Sequence, residues 1–332
     1  MSDVILTGIK PTGEPHLGNY LGAIQPAMAM AKQFSSTPTY FFIADYHALT
    51  TLKDPTLMLQ YRRVIAATWL AFFHNQSQCR FYFQSHIPQV FELYWILSCM
   101  CPKGLLNRAH AYKALVAQNT EQGHDPDRQI NQGVFSYPVL MAADILLFRA
   151  TKVPIGPDQK QHVEIAIELV KALNHHLSNP IPLPEPLIDP KGQLIIGIDG
   201  RKMSKNYNNT IPLFGTESEI KKRISKIQTD SKPLGEALDP DTCHVFQFLS
   251  YVVSKERLDA IRSEYLSGAI GYGHAKAYLL DAYMHHFNNV SKRYTDYMQE
   301  PDQIDQAMAT HTQQVQAIAA EQLANIKRDL GF

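Results

Sequence analysis

Two short segments carry the side chains best suited to phosphate chemistry. In the first, Gly8 to Asn19 (GIKPTGEPHLGN), glycines and hydrogen-bonding side chains stand where the β-prone run Val4 to Thr7 hands over to a helical pattern. Such a junction offers unpaired backbone N–H groups and the positive end of a helix dipole, both suited to an anion. Gly8 and Gly18 permit close approach of a nucleotide, and Thr12, His16 and Asn19 can donate hydrogen bonds. The second segment, Asp199 to Asn206 (DGRKMSKN), packs the cations Arg201, Lys202 and Lys205 into five positions. Like charges so close repel unless an anion visits them or water solvates them, and an ordinary surface loop would use water. Neither a Walker A loop nor a G-x-G-x-x-G fingerprint is present, which argues against a P-loop ATPase or a nicotinamide enzyme.

A third constellation lies on a helix-forming stretch. Tyr137, Met141 and Asp144 recur at i, i+4 and i+7 and so share one helical face. An aromatic and a methionine in such a stripe are usually core. Asp144 sits in the apolar run MAADILLF, where an unpartnered carboxylate would be costly, so it requires a donor. An indole N–H is a donor with no acceptor capacity and suits a buried carboxylate; a phenol hydroxyl is the nearest rival.

The elements that must position these groups follow from periodicity. Val4–Thr7, Tyr40–Ala44, Arg80–Gln84, Lys152–Ile155 and Leu194–Ile198 read as buried strands, with helices over about 20–34, 55–73, 88–116, 138–149 and 159–173. Asp158 is placed to cap the last of these helices. Strands alternating with helices predict an α/β fold built on a doubly wound, parallel, Rossmann-like sheet, whose ligands bind at the carboxyl ends of the strands. Residues 1–211 form this domain, with a helical insertion over about 86–133 and the lysine-rich loop over about 199–210. Beyond Pro212 the apolar spacing is helical, which predicts a C-terminal all-helical domain, 212–332.

Composition narrows the class. Hydrophobic residues at 45% and charged residues at 19% fit a packed globular chain, not a disordered one. Thirty-one basic against thirty-one acidic residues leave no overall basic field, so any RNA contact must use local patches. Cys79, Cys99, Cys101 and Cys243 lack C-x-x-C spacing, no protein metal site is expected, and no signal-like or membrane-spanning run is visible; a cytoplasmic location is expected.

HLGN (16–19) and KMSKN (202–206) resemble the two signature motifs of class I aminoacyl-tRNA synthetases, in the family's order and on the expected elements. SYPVLMAADILLF (136–148), VPIGPDQKQHVE (153–164) and GYGHAK (271–276) are similar to segments of the tryptophanyl-tRNA synthetases, and the likeness runs through nearly the whole chain. The resemblance implies activation of tryptophan by ATP with Mg2+ and transfer to tRNA(Trp), by a homodimer whose helical domain binds the anticodon. It implies His16, Asn19, Lys202, Ser204 and Lys205 as catalytic residues, and it sets Lys10, Pro11, Thr12, Gly18, Lys113, Gly156, Pro157, Asp158, Leu194, Met203 and Asn206 with them against ATP. Leu6, Gly8, His47, Met141, Val153 and Ile155 would border the indole, Asp144 would accept from its N–H, and Tyr137 and Gln159 would meet the head group. Two positions depart from the family: Asn206 stands where Ser is usual, and Leu6 where an aromatic is common. Met141 favours tryptophan, because the related tyrosyl enzymes typically carry Gln there. A tyrosyl-tRNA synthetase, a small nucleotidyltransferase and a synthetase-like binding paralogue stay open as alternatives.

Overall fold

The computed structural model describes residues 3–188, 195–230 and 232–332. They form two compact units, one of residues 3–13, 27–188 and 300–332, the other of residues 14–26, 195–230 and 232–299.

The first unit is built on a parallel sheet of β1 (Ile5–Ile9), β2 (Thr39–Ile43), β3 (Cys79–Phe83), β4 (Lys152–Pro154) and β5 (Glu185–Leu187), in the spatial order β3-β2-β1-β4-β5. The sequences TYFFI and CRFYF are apolar on both faces, as strands covered on both sides require. Strand order reverses between β1 and β4, which is the switch point at which such sheets open a crevice at their carboxyl ends.

Helices cover the sheet. A short α1 (Asp45–Ala48) follows β2 directly. α2 (Pro55–Phe73) starts at Asp54, whose carboxylate accepts from the N–H groups of Thr56 and Leu57, with Pro55 at the first helical position. Its buried second half packs on β2 and β3 through Trp69 and Phe73, whose rings lie 4.9 and 4.7 Å from that of Phe41. The stretch expected to be one helix over about 88–116 is broken into α3 (Gln89–Met100), a single turn and α4 (His110–Glu121), with Pro102 at the break. α5 (Gln132–Leu147) and α6 (Lys160–Asn174) pack on each other.

In the second unit α7 (Glu217–Ile224) and α8 (His244–Leu249) pack on the long α9 (Tyr272–Gln299). α10 (Pro301–Asp329) returns to the first unit and lies on β3, α2 and α3, burying Val315, Ala319, Leu323 and Ile326 from one face.

The structure departs from expectation in its unit boundaries, its fifth strand and the start of α5. The compact units are bounded differently from the expected domains 1–211 and 212–332: the segment 14–26 groups with the second unit, and α10, with its apolar stripe against the sheet, groups with the first. Of the strand expected over Leu194–Ile198, Leu194 lies outside the described residues and Ile196 forms only an isolated bridge with Lys202. The fifth strand lies instead inside the proline-rich stretch, where Glu185–Leu187 adds to the sheet edge; an edge position leaves one side of the strand without ladder bonds, so Pro186 is tolerated. α5 begins at Gln132, not near Pro138, because Asn131 caps it by accepting from the N–H of Val134 at 3.1 Å. Among the described residues no helix is long and apolar enough to cross a membrane.

Gly8 lies within β1, opposite Phe42, and a Cβ there would overlap the Phe42 ring. Its small size therefore serves packing, where the sequence suggested ligand approach. Gly8→Ala is expected to destabilise the fold by about 1–3 kcal/mol through overpacking. Urea melts of the two proteins measure this, and equal midpoints would contradict it.

Candidate active site

In the first unit, the strands deliver their following residues to one end of the sheet. Lys10 follows β1, α1 with His47 follows β2, Gln84 follows β3, and Ile155 to Gln159 follow β4. Asp144, on α5, is fully buried. His47 Nε2 lies 2.9 Å from its Oδ2, and the Gln84 side-chain NH2 reaches Oδ1 and Oδ2 at 3.0 and 2.8 Å. Gln84 cannot turn its amide around, because Oε1 accepts the backbone N–H of His47 at 3.3 Å. The ends of β2 and β3 are tied again beside this cluster, where Asp45 Oδ1 accepts the N–H of Ser85 at 2.9 Å. Burial pushes the Asp144 carboxyl above the ordinary carboxylate range, and the bonds from His47 and Gln84 oppose that push. The donors that Asp144 requires are supplied within the chain by His47 and Gln84.

Tyr137 stands two turns away on the same helix. Its ring centroid is 4.4 Å from that of His47, 5.0 Å from that of His162 and 4.5 Å from Lys10 Nζ, an ammonium over an aromatic ring. Burial, with Asp144 and Asp158 nearby, pushes its phenol up to about 12, so the hydroxyl stays protonated at neutral pH. Burial also lowers the Lys10 pKa. Leu6 and Val153 are buried, while Met141 and Ile155 pack half-buried against the same core.

The expected cap at Asp158 is absent: Gln159 occupies the cap position of α6, and Asp158 lies in a 3-10 turn, Pro157–Gln159. Its carboxylate instead accepts from Gln159 Nε2 at 2.8 Å and folds back over Gly156, where a Cβ would stand 2.7 Å from Oδ1. Gly156, Pro157 and Asp158 are exposed, as is Thr12, while Pro11 is buried; Lys113 is exposed on α4, a helix that buries none of its residues.

In the second unit the two motif loops meet. The backbone N–H of His16 donates to Asn19 Oδ1 at 3.0 Å, closing the HLGN turn. The turn is held against residues 211–213 by bonds from Leu17 N–H to the Ile211 carbonyl (2.9 Å) and from Leu213 N–H to the Pro15 carbonyl (3.0 Å). Gly18 N–H donates to Met203 Sδ at 3.2 Å, and a Cβ on Gly18 would stand 2.9 Å from His16 Nδ1. Gly18 and Met203 therefore join the motifs to each other; the space beside Gly18, expected for a nucleotide, is filled by His16 and Met203. Burial, then the charge of Lys205, lowers the His16 pKa to about 4, so its imidazole is neutral at neutral pH.

The lysine loop is organised by Asn209, which is 1% exposed. Its Oδ1 accepts the N–H of Ser204 (2.8 Å), and its Nδ2 donates to Asp199 Oδ1 (2.7 Å) and to the Lys202 carbonyl (3.0 Å). Arg201 is committed to this scaffold: it pairs with Asp199 at 2.7 Å and lies over the Tyr207 ring at 4.5 Å. Lys202 and Lys205 are exposed, Ser204 accepts the N–H of Asn206 at 3.3 Å, and Asn206 is exposed. Of the three crowded cations, Arg201 is thus tied to Asp199 and Tyr207, and Lys202 and Lys205 are exposed.

Gln84, His162 and Asn209 were not singled out by sequence. For Gln84 a signal existed, a polar residue closing an apolar strand at the ligand-binding end of the sheet.

This arrangement can be set beside known proteins. The model of the class I tRNA synthetases (W and Y) matches residues 3–288. The chain is 45% identical to the tryptophan–tRNA ligase of Pseudomonas aeruginosa, covering 100% of this chain and 74% of that protein. It is 41% identical to that of Neisseria meningitidis, covering 99% and 97%. The tryptophanyl-tRNA synthetase of Campylobacter jejuni, solved with ADP and tryptophan, superimposes with a TM-score of 0.90 at 36% identity and 99% coverage of both chains. The chain belongs to the class I tRNA synthetases of the tryptophan and tyrosine family. These three relatives all fall on the tryptophan side of it.

The division of cations gives an expected outcome. Lys202→Ala and Lys205→Ala should each lower single-turnover pyrophosphate formation at saturating ATP, by roughly 10²-fold, the loss typical of one preorganised charge-stabilising group. Arg201→Ala should act mainly on loop stability. Equal rates for wild type and both lysine variants would remove the loop from the chemistry.

Proposed function

We propose that this ligase activates L-tryptophan and charges tRNA(Trp). A tryptophan carboxylate oxygen attacks the α-phosphorus of ATP, pyrophosphate leaves, and a terminal ribose hydroxyl of the tRNA then takes the acyl group with release of AMP. No covalent enzyme intermediate is required, so the work of the side chains is positioning and charge stabilisation.

The observation that carries this reading is Asp144. Both of its oxygens face N–H donors, and a carboxylate has about four lone-pair sites, so it can accept one further N–H while remaining satisfied. An indole N–H fits that demand. Leu6, Met141, Val153 and Ile155 would border the rings, and Tyr137 and Gln159 would meet the ammonium and carboxylate of the substrate. Gly156, Pro157 and Asp158 would lie along the adenosine, and Lys202 and Lys205 would stabilise the departing pyrophosphate with Ser204. Mg2+ is proposed to enter with the triphosphate, since a cation of this kind is held largely by substrate phosphates and water; among the described residues no group of three His, Cys, Asp or Glu side chains is assembled to hold it.

The partners are proposed on separate grounds. α3 turns Trp95, 68% exposed, and Phe91, 39% exposed, to solvent on one face, and a second copy of the chain is the proposed cover for these large apolar rings. The helical residues 212–299 are proposed to contact the tRNA anticodon. A cytoplasmic location accords with a tRNA substrate.

Asp144→Asn tests the reading. The substitution replaces a charged acceptor by an amide whose NH2 would oppose the Gln84 NH2, and it should raise the tryptophan KM roughly 10- to 100-fold, the worth of a charge-assisted bond. The ATP KM should change little. An unchanged ratio of the two constants would contradict the tryptophan assignment.

A further inference from the structure

His162 is the third residue of α6 and is 5% exposed. Its Nδ1 lies 2.8 Å from Gln159 Oε1, and the other end of that amide, Nε2, lies 2.8 Å from Asp158 Oδ2. These two contacts fix three assignments. The Asp158 carboxylate only accepts, so the Gln159 NH2 must face it; Gln159 Oε1 must then face His162; and His162 must carry its proton on Nδ1. Flipping the amide would set an oxygen against the carboxylate and is excluded. Burial lowers the imidazole pKa to about 4, so at neutral pH the ring is a neutral Nδ1–H donor.

We propose that His162 is a positioning residue: by holding Gln159 Oε1 it fixes the orientation in which the Gln159 amide meets the amino-acid head group and ties that amide to the Asp158 carboxylate. The inference rests on the head-group role given to Gln159 above. With one N–H taken by Asp158 and one lone pair by His162, the amide keeps a second N–H and a second lone pair. Those suit the carboxylate and the ammonium of an α-amino acid. Without His162, Asp158 alone among the described residues holds the amide by a hydrogen bond, and that bond leaves the oxygen end free to swing. The Tyr137 ring, 5.0 Å from the His162 ring, supports the imidazole in place.

Three variants separate this role from simple core filling. An Asn side chain can present an N–H near the position of imidazole Nδ1, a Gln side chain presents one near Nε2, and Leu presents none. In tryptophan-dependent pyrophosphate exchange, His162→Leu and His162→Gln are expected to raise the tryptophan KM about tenfold, the typical effect of one lost hydrogen bond, with the ATP KM held within about twofold. His162→Asn should recover most of the loss. Thermal midpoints recorded alongside give the purely structural comparison, and the Asn and Gln pair decides the matter even if the Leu variant does not fold. Equal tryptophan KM values for the Asn and Gln variants, or changes that follow the midpoints alone, would overturn the proposal while the exchange by wild type upheld the tryptophan reading. Absence of tryptophan-dependent exchange by the wild type would overturn both.

Discussion

Asp144 has no exposed surface, and its charge is tolerable only because His47 and Gln84 bring N–H donors to both carboxylate oxygens. Those donors stand just beyond β2 and β3, while the carboxylate arrives from α5, which packs against the sheet from elsewhere in the chain. The register of the sheet must therefore be right before the charge can be buried. Loss of a single partner would leave a buried polar group unmet, a penalty of about 1–3 kcal/mol or more. Under the proposed function the same constraint would make the site specific: the carboxylate is held as an acceptor by His47 and Gln84, and a ligand entering beside it would have to offer a donor.

The second unit applies the same economy of small groups to its motif loops. A glycine at position 18 lets the Met203 thioether reach a backbone N–H, and the HLGN turn thereby braces the segment that carries the lysines. Asn209 then uses two hydrogen bonds to hold the loop backbone and a third to hold the Asp199 carboxylate, which in turn holds Arg201. With the backbone and Arg201 held, Lys202 and Lys205 are exposed on the loop, and under the proposed function they would stabilise charge that develops as pyrophosphate departs.

What could be read in advance followed the range of each signal. β1 to β4 are short apolar runs whose β-branched and aromatic residues mark them locally, and each falls within a residue or two of its expected place. The stripe of Tyr137, Met141 and Asp144 was legible because helical spacing is local too. β5 was not, since Glu-Pro-Leu carries no strand pattern and is recruited by pairing with β4. The partners of Asp144 lie 60 and 97 residues away in sequence, so only the folded sheet reveals them. Gly8 and Gly18 read as openings for a ligand, whereas Phe42, His16 and Met203 occupy the space beside them. A glycine in sequence shows that room is needed and not what fills it. Likewise α10 looked like part of a C-terminal helical domain, because its apolar face says only that it must be covered, not by which unit.

The central claim is that Asp144 selects its ligand by accepting one further N–H. An isostere of tryptophan with sulfur in place of the indole N–H keeps the ring size and the head group while removing that donor. Amino-acid-dependent pyrophosphate exchange by the wild-type chain, compared between tryptophan and this benzothiophene analogue, isolates the interaction without any mutation. The account predicts a kcat/KM lower by about 10⁴-fold for the analogue, as for sites built around a hydrogen bond that the analogue cannot make. Comparable values for the two substrates would contradict it.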